Sequence, residues 1–326
     1  MSEIVAVPYE PKHRPQWDDF VLRSNNGTMF HLQRFLDYHP PGEFQFAHLL
    51  FLKGHRLVAV LPGGLTAAGV YESPVGASYG GFVLHDPSFD DCLRLVDALL
   101  AYAEGAGWND VSLTGAPYIY QATLTQNIDF ALLWRGFAYD CHYISSVIDL
   151  HRHGDDPLPH YSESTRLTVR RGRSSSRLQI AESTDFDTFY PILVENKARH
   201  GAKPTHSLED LYRLKELLPD RFVFYSASLD GEMIAGALNF VANPRVLLVF
   251  YPMMRYSHQQ HRPIYALMDR VVRHALENGF SYVDIGVSQD TKAANPMTPS
   301  LSLIRFKERF DSRGVMRSTL RWRRPQ

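Results

Sequence analysis

The sequence predicts an α/β fold built from two tandem copies of one unit. Three observations predict it. The first is an internal repeat: residues 95–115 read LVDALLAYAEGAGWNDVSLTG, and residues 267–286 read LMDRVVRHALENGFSYVDIG. At a constant offset of 172 residues, Leu95 falls on Leu267, Asp97 on Asp269, Gly107 on Gly279, Trp108 on Phe280, Val111 on Val283 and Leu113 on Ile285. The second is that each copy joins an amphipathic helix to a short alternating strand. The third is a hairpin pattern ahead of each helix. A chain of 326 residues also suits two domains, at roughly 100–200 residues each.

Taken in order, residues 46–52, a Lys53-Gly54 turn and residues 57–61 predict the first hairpin. Val96, Leu99, Leu100 and Ala103 then stand at i, i+3, i+4 and i+7, which gives a helix one apolar face. Gly107 occupies the position where a helix end favours a left-handed residue, and Val111 and Leu113 begin a strand. The stretch 151–159 (HRHGDDPLP) reads as a linker. Residues 160–177 carry Arg166, Arg170, Arg171, Arg173 and Arg177 against one acid, Glu163. A helix follows over 207–218, capped by Ser207 with Asp210, striped by Leu208, Leu211, Leu214 and Leu218, and ended by Pro219. The second hairpin is 222–229, Asp230-Gly231 and 233–240; Asp-Gly between apolar runs is a strong turn signal. Ile264, Leu267, Met268, Val271, Val272 and Ala275 make the second amphipathic helix, and Gly279 ends it. The domains are therefore set at 1–150, a linker and basic helix at 151–177, and 178–326.

Composition narrows the function. Hydrophobic residues are 44% and charged residues 21%, as in an ordinary globular chain. The net charge of -1 gives no whole-chain signal for nucleic acid or a membrane surface, so a basic site must be local. Two cysteines, Cys92 and Cys141, exclude a disulfide framework and a cysteine-built metal site. No apolar run approaches the ~18 residues of a membrane span. A cytoplasmic protein is expected.

Several strings carry chemistry elsewhere and do not here. Gly76-Ala77-Ser78-Tyr79-Gly80 spells a hydrolase elbow, but a strand pattern follows where a helix is required, so it reads as a glycine-rich turn. His151-x-His153 with Asp155 and Asp156 lies in the linker of a chain with 15 histidines, so no metal is expected. No dinucleotide or P-loop glycine motif is present. The arginines of 166–177 read either as a solvated face or as phosphate contacts, since arginine forks match phosphate oxygens. Arg317, Arg321, Arg323 and Arg324 form a second basic stretch.

Four further strings point to a family. They are Ser164-Thr165-Arg166 with Arg170-Arg171, Lys197-Ala198-Arg199-His200-Gly201, Tyr282-Val283-Asp284-Ile285-Gly286, and Phe306-Lys307-x-x-Phe310. With the repeat, the basic segment and the opening Trp17…Phe30-His31, the chain resembles the FemAB-like double-GNAT acyltransferases, which include the Fem-type peptidoglycan-bridge aminoacyltransferases. The resemblance implies two GNAT-like domains with mixed β-sheets flanked by helices. It implies an acyltransferase that moves an acyl group from an activated donor to an amine of an envelope or polysaccharide precursor. The donor would be acyl-CoA or an aminoacyl-tRNA, and the acceptor a small-molecule or lipid-linked amine.

The resemblance also assigns residues. Lys307 stands at the lysine implicated in catalysis, and Asp284 at the end of the repeat's strand could orient it or accept a proton through water. Arg170, Arg171, Tyr251, Tyr256, His200 and Phe306 are the candidates for substrate binding. Two departures stand out. The loop that in GNAT enzymes cradles the CoA pyrophosphate with glycine reads Arg255-Tyr256-Ser257-His258-Gln259-Gln260-His261-Arg262-Pro263, without glycine. The helical hairpin some bridge enzymes use toward tRNA is also missing. A non-catalytic binding module is the third reading. The i, i+4 spacing of Phe306 and Phe310 places both on one helix face and predicts that Lys307 projects freely beside them.

Overall fold

The computed structural model describes residues 3–199, 201–290 and 292–325. The chain divides into two compact units, Met1–Tyr143 with Met316–Gln326, and Ile144–Val315. These edges differ from those read in the sequence. The basic helix belongs to the second unit, and the chain's end returns to the first.

In the first unit, Ile4–Pro8, Leu49–Lys53, Arg56–Leu61 and Val83–Leu84 form an antiparallel sheet in that order. The strand Asp110–Thr114 pairs parallel with Tyr71–Ser73 and antiparallel with residues 319–323. The helix Phe89–Gly105 starts at Ser88, whose hydroxyl accepts from the Asp91 amide, and buries Leu95, Val96 and Leu99. The opening string is structural. Trp17 is fully buried and donates its indole N–H to the His31 carbonyl at 2.7 Å.

The second unit has one mixed sheet. Its order is Leu178–Glu182, Phe222–Leu229, Glu232–Asn243, Val246–Met254, Tyr282–Val287 and the end of Ala138–Asp149. All pairs are antiparallel except Val246–Met254 with Tyr282–Val287. The hairpin turn holds Asp230 at φ 52° and Gly231 at φ 90°, the two positive values of the turn the Asp-Gly pair predicts. Helices Glu163–Arg173 and Pro263–Glu277 cover one face, through Val169, Leu267 and Val271. Helices Phe186–Arg199 and Leu208–Leu217 cover the other, through Phe189, Ile192 and Leu211.

The repeat is realised over the helix and the strand after it. Leu95 and Leu267 lie in equivalent helices, each followed by a glycine at φ +73° or +72° and then a strand. The repeated aspartates share a task. Asp97 takes the Arg135 fork at 2.6 and 2.9 Å, and Asp269 takes the Arg173 fork at 2.9 and 2.8 Å. Asp269 is 1% exposed, so Arg173 is its counter-charge, with Arg273 at 3.3 Å behind it.

That contact separates the arginines of the basic segment. Arg173→Ala should lower unfolding free energy by about 2–3 kcal/mol, below the ~3–5 of a fully broken buried pair because Arg273 remains. Arg171→Ala, at an exposed position, should change it by no more than about 0.5 kcal/mol. Urea unfolding checks both, and equal effects would contradict the assignment.

Candidate active site

The strand Val246–Met254 sets the geometry. It pairs with Tyr282–Val287 over three residues only, 246–248 with 282–284. On its other side, Leu238 faces Tyr251 while Asn239 faces Val249, so Phe250 is an extra residue. Such a bulge bends a strand and strengthens its twist. Beyond Leu248 the two parallel strands diverge, and an edge of backbone lies open between them. Its far end is held by Asn196, whose Nδ2 donates to the Met254 carbonyl at 2.6 Å and whose Oδ1 accepts from the Met254 amide at 3.4 Å.

Asp284 lies at the mouth of this wedge and is fully buried. Its carboxylate accepts from the Ser145 hydroxyl at 2.5 Å and the Gly286 amide at 2.8 Å. Lys307 approaches the same strand end. Its Nζ donates to the carbonyls of Gly286 at 2.8 Å and Val287 at 3.0 Å, and to Ser288 Oγ at 2.8 Å. Gly286 stands at φ +76°, a left-handed turn that L side chains rarely adopt, just where the backbone carbonyls turn toward the ammonium.

Lys307 therefore corrects one expectation. It does not project freely beside the phenylalanines but is 5% exposed. Phe310 is fully buried and Phe306 lies 5.6 Å away against Tyr265, so the aromatic face is as the spacing predicts. The lysine turns inward because three acceptors and the Asp284 charge await it there. Burial pushes its amine down to about 8, and Asp284 opposes that shift. It remains a cation at neutral pH.

The binding candidates fall in two places. Tyr251 is buried, and its hydroxyl lies 3.0 Å from His206 Nδ1. Lys197 sits 5.5 Å from the centre of the Tyr251 ring, and Arg199 3.9 Å from that of Tyr256. Two lines of the sequence reading, the 197–201 string and the tyrosines, thus meet at the end of the Val246–Met254 strand. His206 and Asn196 were not singled out from the sequence. His206 had no local signal, whereas Asn196 adjoins a quoted string. Arg170 and Arg171 are exposed on the last turn of Glu163–Arg173, and His200 lies outside the described residues.

Three other features resolve simply. The Gly76–Gly80 string lies between the strands Tyr71–Ser73 and Val83–Leu84, with no helix after it, so it is no nucleophile elbow. His153, His160 and Asp311 bring ligand atoms within 4.8 Å of one another. The two imidazoles stack at 4.3 Å and 13°, and Arg313 pairs with Asp311 at 2.9 Å. Before the helix Pro263–Glu277, the residue in the left-handed region is Arg262, at φ 53°. The backbone reversal is made there without glycine.

Residues 161–294 match the acetyltransferase (GNAT) domain family. FemX is similar to this chain with a TM-score of 0.73 at 12% identity, over 98% of this chain and 97% of that one. The fold is that of the FemAB-like tandem GNAT proteins. A tandem GNAT protein from the clavulanic acid biosynthesis pathway is similar at a TM-score of 0.57 and 12% identity, over 99% of each chain. So is the C-terminal domain of a putative lysylphosphatidylglycerol synthetase from Agrobacterium fabrum, at 0.63 and 12%, over 95% of this chain and 91% of that one. No curated protein matches the sequence. The match of residues 161–294 to the acetyltransferase domain supports the acyltransferase class that the sequence implies. No helix among the described residues is long and apolar enough to cross a membrane.

Lys307 gives a two-part prediction. Lys307→Met leaves the Gly286 and Val287 carbonyls and Ser288 short of a donor, at about 1–3 kcal/mol for each group left unsatisfied. Because the native amine titrates near 8 and the unfolded one near 10.5, the unfolded chain binds more protons between those values. Wild-type stability should therefore rise relative to Lys307→Met from pH 8 to 10.5. Urea unfolding across that range checks it; equal midpoints at every pH would contradict the buried contact.

Proposed function

We propose that the protein is an N-acyltransferase that passes the acyl group of an acyl-CoA to a primary amine on an envelope or polysaccharide precursor. The observation that carries this reading is the divergence of the two parallel strands beside the Phe250 bulge, inside the segment matching the acetyltransferase domain. An open backbone edge offers amide and carbonyl groups to an extended thioester arm in the manner of an added strand.

The reaction needs few protein groups. The neutral amine nitrogen attacks the thioester carbonyl, and a C–N bond forms. The tetrahedral intermediate collapses, the C–S bond breaks, and the thiolate leaves and takes a proton. Positioning supplies much of the acceleration, and amides aimed at the developing oxyanion supply more. Lys307 and Asp284 serve in this reading by fixing the strand end from which those amides project. The glycine-free turn does not reproduce the usual pyrophosphate cradle. Lys197 offers an alternative cation for the donor's phosphates. It has no carboxylate partner among the described residues, and burial lowers its affinity for a proton. Arg170 and Arg171, exposed and with no side-chain partner among the described residues, are the next phosphate-binding candidates.

One observation favours a second donor. The missing glycine fits an aminoacyl-tRNA donor, which the Fem-type resemblance implies together with a peptidoglycan-type acceptor. A binding panel separates the readings. Acetyl-CoA or long-chain acyl-CoA should raise the melting temperature, with about 2.7 kcal/mol of stabilisation at 100 times Kd. Lys197→Met should weaken that binding about tenfold, or 1.4 kcal/mol, while the unliganded melting temperature stays within 2 °C or so. Mixing the acyl-CoA with amino-sugar acceptors should release free thiol and an N-acyl product. Stabilisation by charged tRNA alone would replace this reading with the second, and none by either would leave the non-catalytic module.

A further inference from the structure

The first unit contains a pocket that the acyl-transfer reading does not use. Its lining includes Gly81, Gly115, Tyr118, Gln126, Asp129 and Tyr139. Three glycines, Gly80, Gly81 and Gly115, bring backbone to its lining. Gly80 and Gly115 form a parallel bridge, and a Cβ on Gly80 would lie 2.4 Å from the Pro74 nitrogen. Gly81 is at φ +77°, and a Cβ on it would meet the Gly115 Cα at 3.4 Å. A Cβ on Gly115 would meet nothing within 4 Å, so the space above that residue is open. The glycine string that is not a hydrolase elbow thus ends in the floor of a cavity.

Asp129 enters this cavity from the first turn of the helix Asn127–Trp134. Among the described residues its side chain has no lysine, arginine or histidine partner. Burial pushes its carboxyl up to about 6, against the first-turn position that favours a negative charge. Tyr118, Tyr139 and Cys92 couple to it; burial and then acidic neighbours including Asp129 push all three up. His142 lies behind the wall, its ring 4.7 Å from that of Tyr139 and its Nδ1 2.8 Å from Ser318 Oγ, and no lysine or arginine lines the pocket. Asp129 is half-buried, and a partly desolvated carboxylate with no counter-charge is costly to keep.

We propose that this pocket binds an organic ammonium ion, with Asp129 as counter-charge and Tyr118 and Tyr139 as its aromatic walls. Tyrosine rings attract cations through their faces, and the carboxylate fixes the charged end. Gln126, on the pocket's lining, offers an amide to a neighbouring hydroxyl of the ligand. The ligand class is a small primary amine such as an amino sugar or an aliphatic diamine. The proposal concerns the first unit alone and holds whether or not the second transfers acyl groups.

Calorimetric titration of the full chain at pH 7.5 tests it. The probes are glucosamine and 1,5-diaminopentane, with N-acetylglucosamine and 1-pentanol as neutral counterparts. At least one ammonium probe should bind, and its neutral counterpart should give no heat. Asp129→Asn should weaken that binding at least tenfold and melt at or above the wild type, because an unmatched charge is gone. Gly115→Leu, which fills the floor and leaves the charge, should also abolish binding. The proposal is overturned if neither ammonium probe binds, or if neutral counterparts or either variant bind as well as the wild type with its amine. A melting temperature for Asp129→Asn more than 5 °C below wild type, read by the same preparation, also overturns it by making the carboxylate structural.

Discussion

A buried carboxylate that must be matched governs the second unit. Asp284 is wholly removed from solvent, and an ion in that position is tolerated only when hydrogen bonds and opposite charge surround it. Ser145 reaches it from one neighbouring strand, the Gly286 amide closes from its own, and Lys307 brings a cation from the helix Leu301–Glu308. The same node draws the intervening loop back on itself. The Ser300 amide donates to the Ser288 carbonyl at 2.8 Å, so the helix begins beside the strand that its lysine then grips. Three segments far apart in sequence are held by one charge.

The wedge follows from that rigidity. A parallel strand pair that parts after three residues leaves backbone groups open, and such groups need another partner or solvent. The bulge at Phe250 turns one strand aside, while the Asp284 node keeps the other in place. Asn196 satisfies Met254 at the far end. Residues 249–253 lie between, unpaired with the strand Tyr282–Val287. The repeat makes the contrast visible: the first copy carries Ser112 where the second carries Asp284, so the charge is an addition to the unit rather than part of its core.

Local features were legible in the sequence. Three helices, at 89–105, 208–217 and 263–277, declared themselves by apolar spacing, the hairpin by Asp230-Gly231, and two helix ends by Gly107 and Gly279, because each depends on neighbours a few residues away; the helix Phe186–Arg199 was not read from the sequence. Long-range pairing was not legible. The last strand belongs with the first unit because residues 319–323 pair with 110–114, and nothing local to either segment encodes that choice. Lys307 was found by its motif, yet its direction depends on carbonyls some twenty residues earlier. Tyr251 was named on loose support, while His206, which touches it, gave no signal of its own. The basic segment looked uniform and is not: Arg173 and Arg177 hold aspartates, Arg166 bonds the Pro159 and Tyr161 carbonyls, and Arg170 and Arg171 are left exposed.

The central claim is that the slot between the diverging strands of the second unit receives the acyl donor. Amide hydrogen exchange on the full chain, with and without acetyl-CoA, tests it most directly. The account predicts that residues 249–254 and 285–288 gain protection when the thioester is added, while the strands Leu49–Lys53 and Arg56–Leu61 of the first unit are unchanged. Protection confined to the first unit, or none at 249–254 under saturating acetyl-CoA and long-chain acyl-CoA, would contradict it.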